Sequence, residues 1–340
     1  MSKQFFRAAS DNSRLSQIGN ELNGGMLTGF RSLEAFRRQN PLPVDAQRII
    51  DDTVTRVGGK KLQLVKDFIA AGMVTNLPNW IGVPSVYRER VSNAGYAHRG
   101  GVPGESQHQR SRVDMTGDSY PIFPTWDVFD YTIFEESAAE RVGLPLDTTH
   151  IENSVNNVEI SIEEQAIYGL MDEDGNPMKI AGLSAPGILN STTVFTYPAW
   201  DTLTGKEIHE VVKEAVETQR LKGKRGPWNL YLPANYTVTL NRKYSDTYES
   251  PTIFDSLATL GPYGGEKIKP QILDALPDGQ VVLVQMDKNS ATVYLGTDPY
   301  PISWLVPPGF RRNHVIIACT VTAIHVDYEG NYGVVVGSEE

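Results

Sequence analysis

The chain has 340 residues, 40% of them hydrophobic and 21% charged, which is enough apolar material for one large domain or two smaller ones. No apolar run approaches the roughly 18 residues of a membrane-crossing helix, and the opening Met1-Ser2-Lys3-Gln4-Phe5-Phe6-Arg7 lacks the apolar stretch of a secretory signal, so the expected compartment is the cytoplasm. The formal net charge of −10 argues against a dedicated nucleic-acid reader, which would carry a basic face. That charge is unevenly spread: residues 1–112 hold 16 Lys and Arg against 9 Asp and Glu, and residues 113–340 hold 15 against 32. Opposed halves of this kind either keep the chain soluble or let the basic part of one copy lie on the acidic part of the next.

Residues 1–40 are polar, rich in Gly, Asn, Ser and Arg, and show no sustained hydrophobic period. They read as an arm that packs on something other than its own domain. From Pro43 the spacing of Val44, Ile49, Ile50, Val54 and Val57 predicts an amphipathic helix, with proline acceptable in the first turn. Gly58-Gly59 interrupts it, and Leu62, Val65, Phe68 and Ile69 resume it as far as Gly72. Residues 83–134 read as two extended arms around a long tip at 93–109, which has four glycines and almost no large apolar residue. A loop of that length inside a compact domain is usually functional or disordered. The return arm, Tyr120 to Phe134, is aromatic and β-branched with prolines at 121 and 124, which points to a strand at a sheet edge.

Thr149-His150-Ile151-Glu152 fits a capping box, and Ile151, Val155, Val158, Ile162, Ala166, Ile167 and Leu170 then follow at helical spacing up to the turn at Asp172-Glu173-Asp174-Gly175-Asn176. The expectation is a helix of more than about 20 residues, on the order of 30 Å long. A second capping box, Thr204-Gly205-Lys206-Glu207, opens a helix whose buried face is Ile208, Val211, Val212, Ala215 and Val216 and which stops at Gly223. Strands are expected at 229–232, 280–286, 291–295, 314–326 and 332–336, the last two joined across Glu329-Gly330-Asn331. Without strict βαβ alternation, the fold class is α+β.

Convergent chemistry is missing from the pattern. Cys319 is the only cysteine, so the chain has no internal disulfide or multi-thiolate zinc site, and its apolar surroundings make it a buried small hydrophobe. Gly182-Leu183-Ser184-Ala185-Pro186 has the start of a nucleophile elbow but ends in proline where the tight turn needs glycine. Asp172-Glu173-Asp174-Gly175-Asn176 lacks the ligand spacing and distal glutamate of a calcium loop and reads as a solvated turn. The six histidines never take the short spacing of a helical zinc site, although His98 and His108 could pair across the hairpin. No phosphate loop or dinucleotide fingerprint occurs. The expectation is a protein that is not an enzyme and needs no cofactor or metal.

The order of parts, an arm, short helices, a long hairpin, one long helix and an α+β body with long C-terminal strands, resembles the Hong Kong 97-type shell proteins, the major capsid proteins of tailed phages and the bacterial encapsulins. The resemblance covers about residues 45–340 and is closest to the encapsulin branch. It rests on Ile162-Glu163-Glu164-Gln165-Ala166-Ile167-Tyr168-Gly169, Gly226-Pro227-Trp228-Asn229-Leu230-Tyr231-Leu232, the segment Ile268 to Leu276, Val293-Tyr294-Leu295-Gly296-Thr297-Asp298, and the final strand pair.

The resemblance implies an N-terminal arm at 1–42, peripheral-domain helices at 43–83, an extended β-hairpin loop at 84–125, a peripheral domain with its spine helix at 126–179, an axial domain at 180–310, and C-terminal strands at 311–340 returning to the peripheral domain. It also implies self-assembly through pentamers and hexamers into an icosahedral head that encloses a phage genome. The partners are then other copies of the chain and DNA held without sequence specificity, with portal, scaffold or decoration proteins as candidate further partners. No membrane is involved, and the location is the virion, assembled in the host bacterial cytoplasm. The arm and the long tip favour the phage head over an encapsulin shell around a cargo enzyme; a soluble hydrolase built on scattered carboxylates is the reading from another class. Arg88, Arg90, Arg99, Arg110 and Arg112 are the candidate inter-subunit contacts, since residues 88–112 oppose them only with Glu89 and Glu105. Some members of the family crosslink a loop lysine to a neighbour's asparagine. Here residues 67–178 contain no lysine, so that chemistry is not expected.

Overall fold

A computed structural model describes residues 44–94, 112–132, 134, 148–172, 175–191, 193–245, 251–259, 268–306, 311–325 and 333–339. The expected arm at 1–42 and most of the hairpin tip lie outside these residues.

Helix α1 (Val44–Val57) buries Ile50, Val54 and Val57, and α2 (Leu64–Ala70) buries Leu64, Val65 and Phe68. Gly59 and Gly72, each with positive φ, end these two elements, the former at the expected glycine pair. The strand β1 (Val74–Asn76) leads to an antiparallel ribbon of β2 (Ser85–Ala94) and β3 (Arg112–Pro121). Strand β4 (Thr125–Thr132) follows, then the long helix α3 (Thr149–Tyr168). The second half contains β5 (Val194–Tyr197), α4 (Gly205–Leu221), β6 (Trp228–Leu232), α5 (Thr237–Leu240), α6 (Ile253–Thr259), β7 (Ile268–Ile272) and β8 (Gln280–Gln285). Three strands close the chain: β9 (Ala291–Val306), β10 (Arg311–Ile324) and β11 (Val334–Glu339).

These strands form a four-stranded sheet in the order β1-β9-β10-β4, a five-stranded sheet in the order β5-β11-β8-β6-β7, and the separate β2-β3 ribbon. The arrangement is α+β, as expected. Strand β4 takes the predicted edge position, paired on one side with β10 from Thr125↔Ala318 to Thr132↔Arg311.

Helix α3 lies on the four-stranded sheet. Ile151, Val155, Val158, Ile162, Ala166 and Ile167 meet Phe129 and Tyr131 of β4 and Ile316 and Ala318 of β10 in a core that also takes in α1, α2 and residues of β8 and β11. A second core joins Ile208, Val212, Ala215 and Val216 of α4 to Trp228, Leu230 and Leu232 of β6 and Val281 and Leu283 of β8. Alternate residues of β8 therefore serve different cores, so this strand is buried on both faces.

Three expectations need correction. The final two strands are not a hairpin pair: β10 lies between β9 and β4, whereas β11 inserts between β8 and β5 in the other sheet. Val334, Val335 and Val336 feed both cores, and a strand buried on both faces must occupy a sheet interior rather than a terminal hairpin. The long helix has 20 residues and stops at Tyr168, because Gly169 leaves helical space at φ 83°. A side chain at 169 would also press on the Ala185 carbonyl and the Gly187 amide, each 2.8 Å from the Cβ position. Finally, the capping box expected at Thr149 is absent: Thr148 is the N-cap, makes no side-chain cap, and Glu152 turns instead to Arg56 at 2.5 Å.

The second capping box forms as expected. Thr204 Oγ1 accepts the Glu207 N–H at 3.4 Å, and the Thr204 N–H donates to Glu207 Oε2 at 2.7 Å.

Candidate assembly surfaces

The β2-β3 ribbon keeps an unbroken register from Ser85↔Pro121 to Ala94↔Arg112 and hydrogen-bonds to no third strand. Ten pairs at about 3.4 Å each make a ribbon roughly 30 Å long. A two-stranded ribbon is marginal on its own in water, so its root must be fixed by the body or its length by something outside it.

The root is fixed at two points. Val86 and Tyr120 face each other across the ladder and pack with Tyr294, Cys319, Val321 and Ala323. The Tyr120 hydroxyl lies 3.0 Å from Nδ1 of His325, whose Nε2 lies 2.8 Å from Thr292 Oγ1. Burial, with the Arg88 charge added to it, pushes the His325 pKa down to about 3, so the ring is neutral at physiological pH. The second point is Arg88, which donates to the Asn289 carbonyl at 3.4 Å and to its Oδ1 at 3.3 Å.

Of the five candidate arginines, the structure places three on the ribbon. Arg88 stands opposite Asp118, Arg90 opposite Thr116 and Arg112 opposite Ala94. These are alternate rows, so all three share one side of the ladder. The contact seen for Arg88 is to its own chain. Arg99 and Arg110 lie outside the described residues.

Sequence reasoning did not single out Asn289, His325 or Tyr87. A histidine ending an apolar strand carries no local signal for the hydroxyls it will meet. Tyr87 had one: in the alternation Val86, Tyr87, Arg88 it occupies the opposite side from the two residues that bind the body. It is 61% exposed.

Chemistry is no more convergent in three dimensions. Cys319 is fully buried and its thiol is pushed up to about 12 by that burial, partly offset by the Gly296 amide, which suits an inert core residue. Ser184 follows a tight Ile180–Leu183 bridge rather than a strand-to-helix elbow. Asp172 closes its turn by accepting the Asn176 N–H at 2.8 Å. Among the described residues no group of three or more His, Cys, Asp or Glu is placed to hold a metal, and no described helix is long and apolar enough to cross a membrane. His98 and His108 lie outside the described residues.

A helix-backed sheet, a second α/β sheet with its own core, and a long ribbon standing free between them define the Hong Kong 97-type shell fold. Solved structures sharing it include the capsid of Myoviridae Phage XM1, with TM-score 0.60, 12% identity, and coverage of 80% of this chain and 91% of that one. The virus-like particle from Pyrococcus furiosus has TM-score 0.56 and 14% identity, covering 86% and 98%. The capsid of an empty GTA particle has TM-score 0.55 and 9% identity, covering 82% and 91%. No protein-family model and no curated protein sequence matches the chain.

Proposed function

We propose that this chain is a major capsid protein, a structural subunit without catalytic activity that assembles with its own copies, as pentamers and hexamers, into the icosahedral head enclosing a phage genome. The observation that carries this is the extent of the fold match: 80% of the chain aligns with 91% of the phage XM1 capsid subunit, so the likeness takes in the body and the projecting ribbon together. A ribbon without a third layer gains its stability from partners, which a shell supplies on every side. The basic front and acidic remainder of the sequence supply complementary surfaces between copies.

In this reading the four-stranded sheet with α1 to α3 is the peripheral domain, the five-stranded sheet with α4 to α6 is the axial domain, and the ribbon is the extended loop. The arginines Arg88, Arg90, Arg99, Arg110 and Arg112 favour contact with an acidic neighbour. DNA is held without sequence specificity, portal, scaffold or decoration proteins are further partners, and the location is the virion after assembly in the host cytoplasm. An encapsulin shell is the second reading, supported by coverage of 98% of the Pyrococcus furiosus particle subunit.

Electron microscopy of the purified protein tests the proposal. Closed shells are expected, and a monomer on a sizing column with no shells overturns it. A neighbouring portal or terminase gene separates the phage reading from the encapsulin one, for which a cargo peroxidase or ferritin-like gene is expected.

A further inference from the structure

The ribbon has two unlike sides. The rows Val86/Tyr120, Arg88/Asp118, Arg90/Thr116, Ser92/Asp114 and Ala94/Arg112 share the side that begins on the body. Val86, Tyr120 and Arg88 are all engaged there, in the root core and at Asn289. The intervening rows, Ser85/Pro121, Tyr87/Ser119, Glu89/Gly117, Val91/Met115 and Asn93/Val113, form the outer side and include one charged residue, Glu89. Depletion of charge around an aromatic centre is the compositional mark of an interface core.

Tyr87 is that centre. Its ring lies diagonally over Gly117, two residues from its direct partner Ser119, in the space that any side chain at 117 would fill. An exposed tyrosine normally loses rotamer freedom when a partner arrives. Here the strand itself holds the ring flat, so little remains to be lost.

We infer that Tyr87, held on Gly117, is the aromatic anchor by which the outer side of the ribbon seats on a second copy of this chain. The inference rests on the shell reading, which supplies the occupant: the ribbon's other side is committed to its own body, and its outer side has no layer of its own chain among the described residues. Rigid aromatic residues at the centre of a charge-poor patch carry a disproportionate share of binding energy.

Hydroxyl-radical footprinting of the wild-type protein tests the anchor without a substitution. Tyr87 should be oxidised readily in free subunits and protected in assembled shells. Tyr87→Ala should then need at least about tenfold more subunit for half-maximal assembly, the effect of losing an interface hot spot, while Tyr87→Phe should assemble as the wild type does. Gly117→Ala displaces the ring and should behave like Tyr87→Ala. Shells in which Tyr87 is oxidised as fast as in free subunits overturn the anchor and leave the shell reading standing. Absence of any shells from the wild type overturns both.

Discussion

The carboxylate of Glu163 on α3 accepts the backbone N–H of Leu64, the first residue of α2, at 2.5 Å, although the two residues are 99 positions apart. It also accepts the Gln63 N–H at 3.2 Å and the Val65 N–H at 3.3 Å, and Gln63 itself provides no side-chain cap. The long helix thus supplies the N-terminal cap of a short one. One turn earlier, Glu159 does the same for the chain leading into α2, accepting the amides of Gly59 and Lys61. Glu152 meets Arg56 at 2.5 Å. Three acids that a sequence reader would place on a wet face point inward and fix α1 and α2 to the spine.

Glu163→Ala should destabilise the unassembled subunit by on the order of 3 kcal/mol, because it leaves buried amide donors unmatched, and Glu163→Gln by about 1 kcal/mol through loss of the charge at a helix start. Urea unfolding measures both. Burial is the main cause of the raised Glu163 pKa, with Asp67 adding to it, and the three amide bonds only partly oppose them. The folded state therefore holds this proton more tightly than the unfolded chain. Its contribution to stability is full below the ordinary glutamate pKa of 4.5 and is lost as pH rises through the raised value. Glu163→Gln should remove that downward slope.

His325 should act with the opposite sign. Its pKa is lowered from 6.5 to about 3, first by burial and then by Arg88, so the unfolded chain binds the proton that the folded ring refuses. Stability from this group is present above about pH 6.5 and falls by about 1.4 kcal/mol per pH unit as acid is added below it. Protonation would also set a second positive charge near Arg88 at the ribbon root. The expected result is a His325 ring signal that does not titrate between pH 8 and 5 by NMR, and a flatter acid limb of the unfolding curve in His325→Gln. A midpoint near 6.5 for His325 would refute the buried, neutral root.

The parts that were legible in the sequence are those whose signals are local. Thr204 and Glu207 lie three residues apart and cap each other, and the apolar stripe of α3 follows the helical period. The parts that were misread depend on distant partners. Glu-Gly-Asn at 329–331 suggests a hairpin, but the destination of Val334 to Val336 is set by β8 and β5, and a continuous valine run is the mark of a strand covered on both faces. Likewise Glu152 looked like half of a capping box because its true partner, Arg56, is 96 residues away. At the ribbon, the arginines announced a charged loop. The side each one occupies came only with the register.

Shells of this protein should hold together without covalent links between subunits. The ribbon and everything else from residue 67 to residue 178 lack lysine, so no amine in that stretch can attack a neighbour's amide. Boiled in detergent, purified shells should give one band at the monomer mass. A ladder of multimers would show bond formation by some other nucleophile.

Charge reversal at the ribbon's far end tests the electrostatic part of assembly separately from Tyr87. Residues 88–112 carry five arginines against two acids, while residues 113–340 hold 32 acids against 15 basic residues. Each exposed pair between copies contributes only about 0–1 kcal/mol, but a shell repeats the contact in every subunit. Arginine also presents a two-pronged donor that lysine lacks, in keeping with a loop that uses arginine alone. Replacing Arg110 and Arg112 by Glu should therefore leave the circular dichroism of the subunit unchanged and lower the shell yield. The same reversal at Lys222 and Lys224, in the turn that ends α4, should do less. The loss should be largest at low salt, where screening is weakest. Equal yields from the two double variants would remove the electrostatic role of the ribbon arginines and leave its outer, uncharged side as the surface that decides assembly.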